Sequence, residues 1–212
     1  MKIAILGAGN MGRTLGVRWA RAGHDVRFGA RDATQAAAAA QLAGAQAGSL
    51  DEAAAFGDVI LYTARGVPPA QLLRDPHLLD GKVVIDCNNS DYVGDGEFAP
   101  PPVPSYAEQL ALAAPGARVV QAFNTVPHKI LELARERLAP RRISVFLCGD
   151  DPAAKLVVAR LAVDLGVVAV DSGELRRARL VDGVVDFIRF QIAAMGRGPF
   201  TTISLDGVPE VA

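Results

Sequence analysis

Three glycines in the stretch GAGNMG, Gly7, Gly9 and Gly12, stand at the spacing G-x-G-x-x-G, which can bring main-chain amides against an anion. Such a pattern carries chemistry only in context. Here it follows the apolar run KIAIL (2–6) directly and precedes a helix-like segment over 10–22. That is the strand–turn–helix setting in which this loop cradles a dinucleotide. Gly7 permits the tight turn, Gly9 lets a pyrophosphate approach the backbone, and Gly12, with Gly16 one turn on, lets the helix lie close to the sheet. The amides near Asn10 and Met11 then face the phosphates at the positive end of the helix dipole.

The end of the second strand selects the dinucleotide. Where an acid would hydrogen-bond a ribose 2′-hydroxyl, the chain offers Gly29, Ala30 and Arg31. A guanidinium at position 31 can fork onto a 2′-phosphate and stack on adenine, so the expected nucleotide is NADP(H). Asp32 comes one residue late and reads as the N-cap of the next helix.

The group that would exchange a hydride with that nucleotide is less marked. There is no G-x-S-x-G, no Y-x-x-x-K and no metal-ligand cluster. Of the three histidines, His24 and His77 occupy connections and read as structural. His128 follows FNTVP at the end of a strand, on the carboxyl edge where such sheets bind ligands, and is the candidate substrate contact. The two cysteines, Cys87 and Cys148, end apolar runs and read as free buried thiols.

The elements that must position these residues are legible as alternation. Strand-like runs recur as KIAIL, DVRFG (25–29), DVILYT (58–63), KVVIDC (82–87), RVVQAF (118–123) and RISVFLC (142–148), separated mostly by helix-like segments. This predicts an α/β chain with a Rossmann-type, doubly wound, mainly parallel sheet over 1–170 and a small C-terminal helical part over 171–212. Asp32 with Gln35, and Asp151–Pro152 ahead of a periodic run to Leu165 and Gly166, are helix-end chemistry. GDGEFAPPPVPS (94–105) reads as a long loop. The last helix, about 175–195, carries one apolar stripe, Val181, Val184, Val185, Ile188, Ile192 and Met195, and a second, Phe187, Phe190 and Ala194. One stripe serves the core; the second predicts a homodimer.

At 212 residues, 50% of them apolar, the chain can bury one good core. Its net charge of −1 provides no basic field for nucleic acid. No run reaches the roughly 18 apolar residues of a membrane span, and the strand at 3–6 leaves no room for a signal peptide, so a cytoplasmic protein is expected.

The blocks GAGNMG, GARD, AFNTVP (122–127), CGDDPAAKLVVARLAVDLG (148–166) and VDSGELRRARLVD (170–182) occur in the order seen in NADP oxidoreductases dependent on the deazaflavin coenzyme F420, which this chain resembles over nearly its whole length. The resemblance implies a Rossmann domain exchanging hydride between NADP(H) and a deazaflavin. It implies a phosphate loop at Ala8, Gly9, Asn10 and Met11, and 2′-phosphate contacts at Ala30 and Arg31; Ala30 lacks the hydroxyl of the serine that family members often carry. It further implies a nicotinamide and acceptor pocket lined by Thr63, Ala64, Val67, Asn88, Asn89, Phe123, Asn124 and Thr125. MGRGPF (195–200), with Gly198, would close over the nicotinamide. Transfer between two ring carbons asks the protein for position and dryness rather than for a nucleophile. The domain is also similar to the reductase part of membrane ferric reductases and to the first domain of pyrroline-5-carboxylate reductases. A flavin acceptor, an imine or ketone acceptor, and a redox sensor that binds NADP(H) without turnover therefore stay open.

Overall fold

The computed structural model describes residues 1–94 and 97–207. In chain order the elements are β1 (Lys2–Leu6), α1 (Asn10–Arg21), β2 (Asp25–Gly29), α2 (Ala33–Ala43), β3 (Gln46–Gly48), α3 (Leu50–Phe56), β4 (Val59–Tyr62), α4 (Pro69–Leu72), β5 (Val83–Asp86), β6 (Tyr92–Gly94) and β7 (Glu97–Phe98). They continue with α5 (Tyr106–Ala113), β8 (Arg118–Gln121), α6 (His128–Leu131), α7 (Arg135–Leu138), β9 (Ser144–Gly149), α8 (Pro152–Leu165), β10 (Val168–Asp171) and α9 (Ala178–Ala193).

Eight strands form one sheet in the order β10-β9-β8-β5-β4-β1-β2-β3. Every pairing in it is parallel except β8 with β9. The order reverses beside β1, and at such a switch point the strand ends leave a crevice for a ligand. The sheet is mainly parallel, as the alternation predicts, with two short edge strands, β3 and β10, beyond the six runs legible in the sequence.

Alternation along each strand feeds two cores. On β1, Ile3 and Ile5 face α1, α2 and α8, while Ala4 and Leu6 face α3, α5 and α9. Trp19 of α1 is wholly buried in the first layer, donates its indole N–H to Leu161 O at 3.2 Å and meets the Phe123 ring edge-on at 5.6 Å. The helix ends follow the sequence chemistry: Asp32 accepts from the amides of Thr34 and Gln35, and Asp151 accepts from that of Ala154. Gly166 closes α8 in the left-handed region. His24 Nε2 lies 2.9 Å from Asp164, and both cysteines are free and buried.

One expectation changes. The segment read as loop from 94 contributes to an antiparallel pair, β6 with β7, in which Tyr92 and Phe98 pack edge to face at 5.3 Å. The Arg189 guanidinium stacks 3.5 Å over the Phe98 ring, so tertiary contacts hold strands that the Pro- and Gly-rich composition hides. Among the described residues no helix is long and apolar enough to cross a membrane.

Candidate nucleotide and hydride-transfer site

The glycine loop is built for two distinct demands. Gly7 has φ +113°, and a Cβ there would lie 2.1 Å from Thr63 Oγ1, which itself donates to Leu6 O at 2.9 Å. A Cβ at Gly12 would lie 1.9 Å from Gly7 O. These two glycines are required by packing. Gly9 is different: its φ is an ordinary −68°, and a Cβ there would meet no atom within 4 Å. It caps α1 without a side chain, and the first turn holds no acid, so the amides at the start of a helix of 12 residues face open space.

That space is an open cleft of about 480 Å³. Its wall brings together Gly9, Asn10, Met11, Gly12, Thr63, Asn88, Asn89 and His128 from among the sequence-based candidates. Arg65, Cys87, Ser90 and Arg189 complete it, and none of the four belongs to a motif. Arg65 is paired with Asp91, and Arg189 donates to Ser90 Oγ at 2.9 Å and to Ser90 O at 2.8 Å. His128, half-buried at the start of α6, is held below the usual imidazole range by burial, with Lys129 and Arg13 adding to the effect against Glu132. Burial thus favours its neutral form.

The other candidates occupy other positions. Arg31 is exposed beyond β2, and Ala8 and Ala30 pack on the core from the edge where β1 and β2 end. Ala64 and Val67 line a separate small cavity of about 40 Å³ with Asp86, Asn88 and Tyr106. Phe123 is fully buried at φ 66°, and Asn124 and Thr125 are buried beside it. These three back the wall instead of lining it, since Asn124 O accepts from Asn89 Nδ2 at 3.0 Å. Gly198 lies outside the cleft. After α9 the chain turns back, and Phe200, Thr202 and Ser204 line a groove with Ile130, Leu133 and Ile143, while the Leu205 amide donates to Ser144 Oγ at 2.9 Å.

Behind the wall lies a polar floor. Tyr62, Asp86 and Gln121 end β4, β5 and β8 in register, so their side chains share one face of the sheet. Asp86 Oδ1 accepts from Asn88 Nδ2, which also donates to Tyr62 O at 3.1 Å. Gln121 Nε2 donates to Asp182 Oδ1 of α9 at 2.8 Å. Burial pushes the Asp86 carboxyl up to about 7, with the nearby Asp182 charge adding against the Asn88 hydrogen bond. Asp182 is pushed up to about 6, again by burial first, with Asp186 and Glu108 adding and the Gln121 bond opposing. The chain therefore does hold acids at its ligand edge. The signal for Asp86 in the sequence is a polar residue closing each of three runs at the same parity, VILY, VVID and RVVQ; Asp182 has none.

Residues 2–90 match the family described as NADP oxidoreductase, coenzyme F420-dependent. The F420-dependent NADP reductase of Methanocaldococcus jannaschii is 31% identical over 211 residues, covering 89% of this chain and 91% of the relative. The metalloreductase STEAP3 of Rattus norvegicus is 30% identical over 183 residues, covering 86% of this chain; the chain spans 36% of that longer protein's length. Among solved structures, a protein of Arthrobacter sp. FB24 described as an F420-dependent NADP-reductase superposes with a TM-score of 0.82 at 26% identity, over 98% of this chain and 100% of that one. With a relative of this identity matched along nine-tenths of its length and the glycine loop opening on the switch-point cleft, this chain belongs to the F420-dependent NADP oxidoreductase family and is an NADP-dependent oxidoreductase.

Proposed function

We propose that the protein exchanges a hydride between NADP(H) and the deazaflavin coenzyme F420 in the cytoplasm, a flavin serving as a poorer acceptor. The observation that carries this reading is the unobstructed approach to the α1 amides at Gly9, continuous with a cleft walled by Thr63, Asn88, Asn89 and a neutral His128. The bound nicotinamide supplies the hydride; the chain holds the two rings in place. Gly9, Asn10 and Met11 receive the pyrophosphate, Arg31 beside Ala30 receives the 2′-phosphate, and the wall at 88–89, backed by residues 123–125, positions the nicotinamide. The names of the relatives favour the deazaflavin over an imine or ketone.

Deuterium at nicotinamide C4 tests the reading. With deazaflavin added, the label is expected to appear directly on the deazaflavin ring, and His128→Ala is expected to slow turnover only modestly, because a neutral imidazole beside two ring carbons contributes packing. Unlabelled product without deazaflavin-dependent NADPH consumption ends it, and NADPH binding without any acceptor dependence indicates a sensor.

We also propose a homodimer through the outer face of α9. Val181, Val185 and Ile188 of that helix are buried, whereas Phe187 and Phe190 stand 55% and 46% exposed on the opposite side. Met195, past the end of the helix, is exposed as well. Sedimentation is expected to give a dimer at micromolar concentration and a monomer for Phe187→Asp/Phe190→Asp; a wild-type monomer refutes it.

A further inference from the structure

Hydride arriving at an acceptor carbon leaves a negative charge on the heteroatom conjugated to it, and a proton must follow. His128, whose neutral form burial favours, lines the nucleotide cleft with the glycine loop. Of the other acids near the ligand edge, Asp91 is paired with Arg65 and Asp186 lies 3.7 Å from Arg189, which leaves those of the floor without a cation among the described residues. Asp86 is 1% exposed at the end of β5, and Asp182 is 8% exposed in the second turn of α9. Gln121, the register neighbour of Asp86, donates to Asp182 Oδ1, which Asn124 Nδ2 also approaches at 3.4 Å. Asp86 Oδ2 is buried without a hydrogen-bond partner.

No counter-ion neutralises either carboxyl among the described residues. Arg179 of α9 is forked onto Glu108 of α5 at 2.8 and 2.9 Å. Arg189 is held by Ser90 and lies 3.7 Å from Asp186. The other titratable groups facing the pair are Tyr62 of β4, Cys87 after β5, Cys148 of β9, Glu108 of α5 and Asp186 of α9. Burial raises the tyrosine and both thiols, so they stay uncharged, and Glu108 and Asp186 add negative charge. Two carboxyls in so dry a place cannot both ionise without great cost, and one proton stays.

The pair also has a way out. Asp182 borders a narrow crevice with Asn88, Asn89, Ser90, Tyr106 and Asp186. Asn88, Asn89 and Ser90 line the nucleotide cleft as well, so this one short stretch of chain lies between the crevice and the cleft.

We propose that Asp86 and Asp182 carry one proton between them and that Asp182 delivers it to the acceptor heteroatom as the hydride reaches the acceptor carbon. The proposal rests on the hydride-exchange reading above. The C4–H bond of the reduced nicotinamide breaks and an acceptor C–H bond forms with its electron pair; the Asp182 O–H bond breaks and a heteroatom–H bond forms. The pair, left doubly ionised, regains a proton from water through the crevice. In the opposite direction the same pair accepts the proton.

Two measurements test this. In the first, the carboxyl carbons of aspartate are labelled with ¹³C and titrated in the protein without nucleotide. At least two signals are expected to change above about pH 5, outside the ordinary carboxylate range, and Asp182→Asn is expected to remove one of them. If all aspartates are ionised by about pH 5, the shared proton is overturned whatever the enzyme does.

In the second, NADPH-driven acceptor reduction is followed against pH. The wild-type rate is expected to fall as pH rises through the titration of the pair. Asp182→Asn is expected to lose on the order of 10²-fold, with a flat profile and unchanged NADPH affinity, and Asp182→Glu to restore part of both rate and slope. A uniform loss that keeps the wild-type pH slope marks Asp182 as structural and overturns delivery. Should the wild type consume NADPH with no acceptor at all, the hydride-exchange reading fails and delivery with it, while the carboxyl titration still decides the shared proton.

Discussion

Gly9→Val is expected to abolish nucleotide binding and leave the fold intact. The backbone at position 9 is one that any residue adopts, and a Cβ there meets nothing within 4 Å, so the folded chain has no reason to reject a side chain. The branched methyls instead fill the approach to the α1 amides. Losing two charge-assisted hydrogen bonds to a pyrophosphate, each about 1.5 to 3 kcal/mol, weakens binding by roughly 100-fold or more. Gly12→Val is the contrast: its Cβ would lie 1.9 Å from Gly7 O, and that clash disturbs folding itself. Calorimetry with NADPH and a thermal melt separate the two. Retained binding in Gly9→Val would reduce the loop to a turn.

The glycine loop, the caps and the sheet were legible because each depends on neighbours in sequence. A glycine after a strand, an aspartate before a proline and an alternation of apolar runs are local facts that the fold preserves. The floor was not legible in that way. Asp86 sits between VVI and Cys87, and only the pairing of β5 with β8 brings it beside Gln121 and thence to Asp182, 61 residues further on from that glutamine. Arg189 was hidden for the same reason: in the sequence it is one polar residue on an amphipathic helix, and its stacking on Phe98 exists only once β6 and β7 have folded beneath it. The C-terminal segment beyond α9 has few apolar anchors, and its course along Ile130 and Ile143 is a tertiary outcome.

Arg31→Ala is expected to weaken NADPH by about 1.5 to 3 kcal/mol, roughly 10- to 150-fold in Kd, while NADH changes little. Among the described residues Arg31 has no hydrogen-bond or ion-pair partner, so its removal leaves nothing unpaired in the chain and the loss reports the ligand. Asp32, the nearest acid, accepts at Oδ1 from the amides of Thr34 and Gln35 as the N-cap of α2. The measurement is Kd for both nucleotides on both proteins. Equal losses would remove Arg31 from the 2′-phosphate.

The reversal of β9 carries one of the blocks that make this chain recognisable away from the edge where it reacts. Because β9 runs against β8, its carboxyl end and the Asp150–Asp151 turn fall at the edge of the sheet away from the cleft, where Asp151 lies 3.9 Å from Arg118 at the start of β8 and Asp150 accepts from the Leu175 amide at 2.9 Å. The long block from Cys148 to Gly166 therefore records how the last βαβ unit is stapled onto the sheet. A relative could keep that signature unaltered after losing every group at the ligand edge, and another could exchange acceptors without disturbing it. Part of what marks the family is thus written on the rim opposite the cleft, and α9, starting near that rim and reaching the ligand edge at Asp182, joins the two.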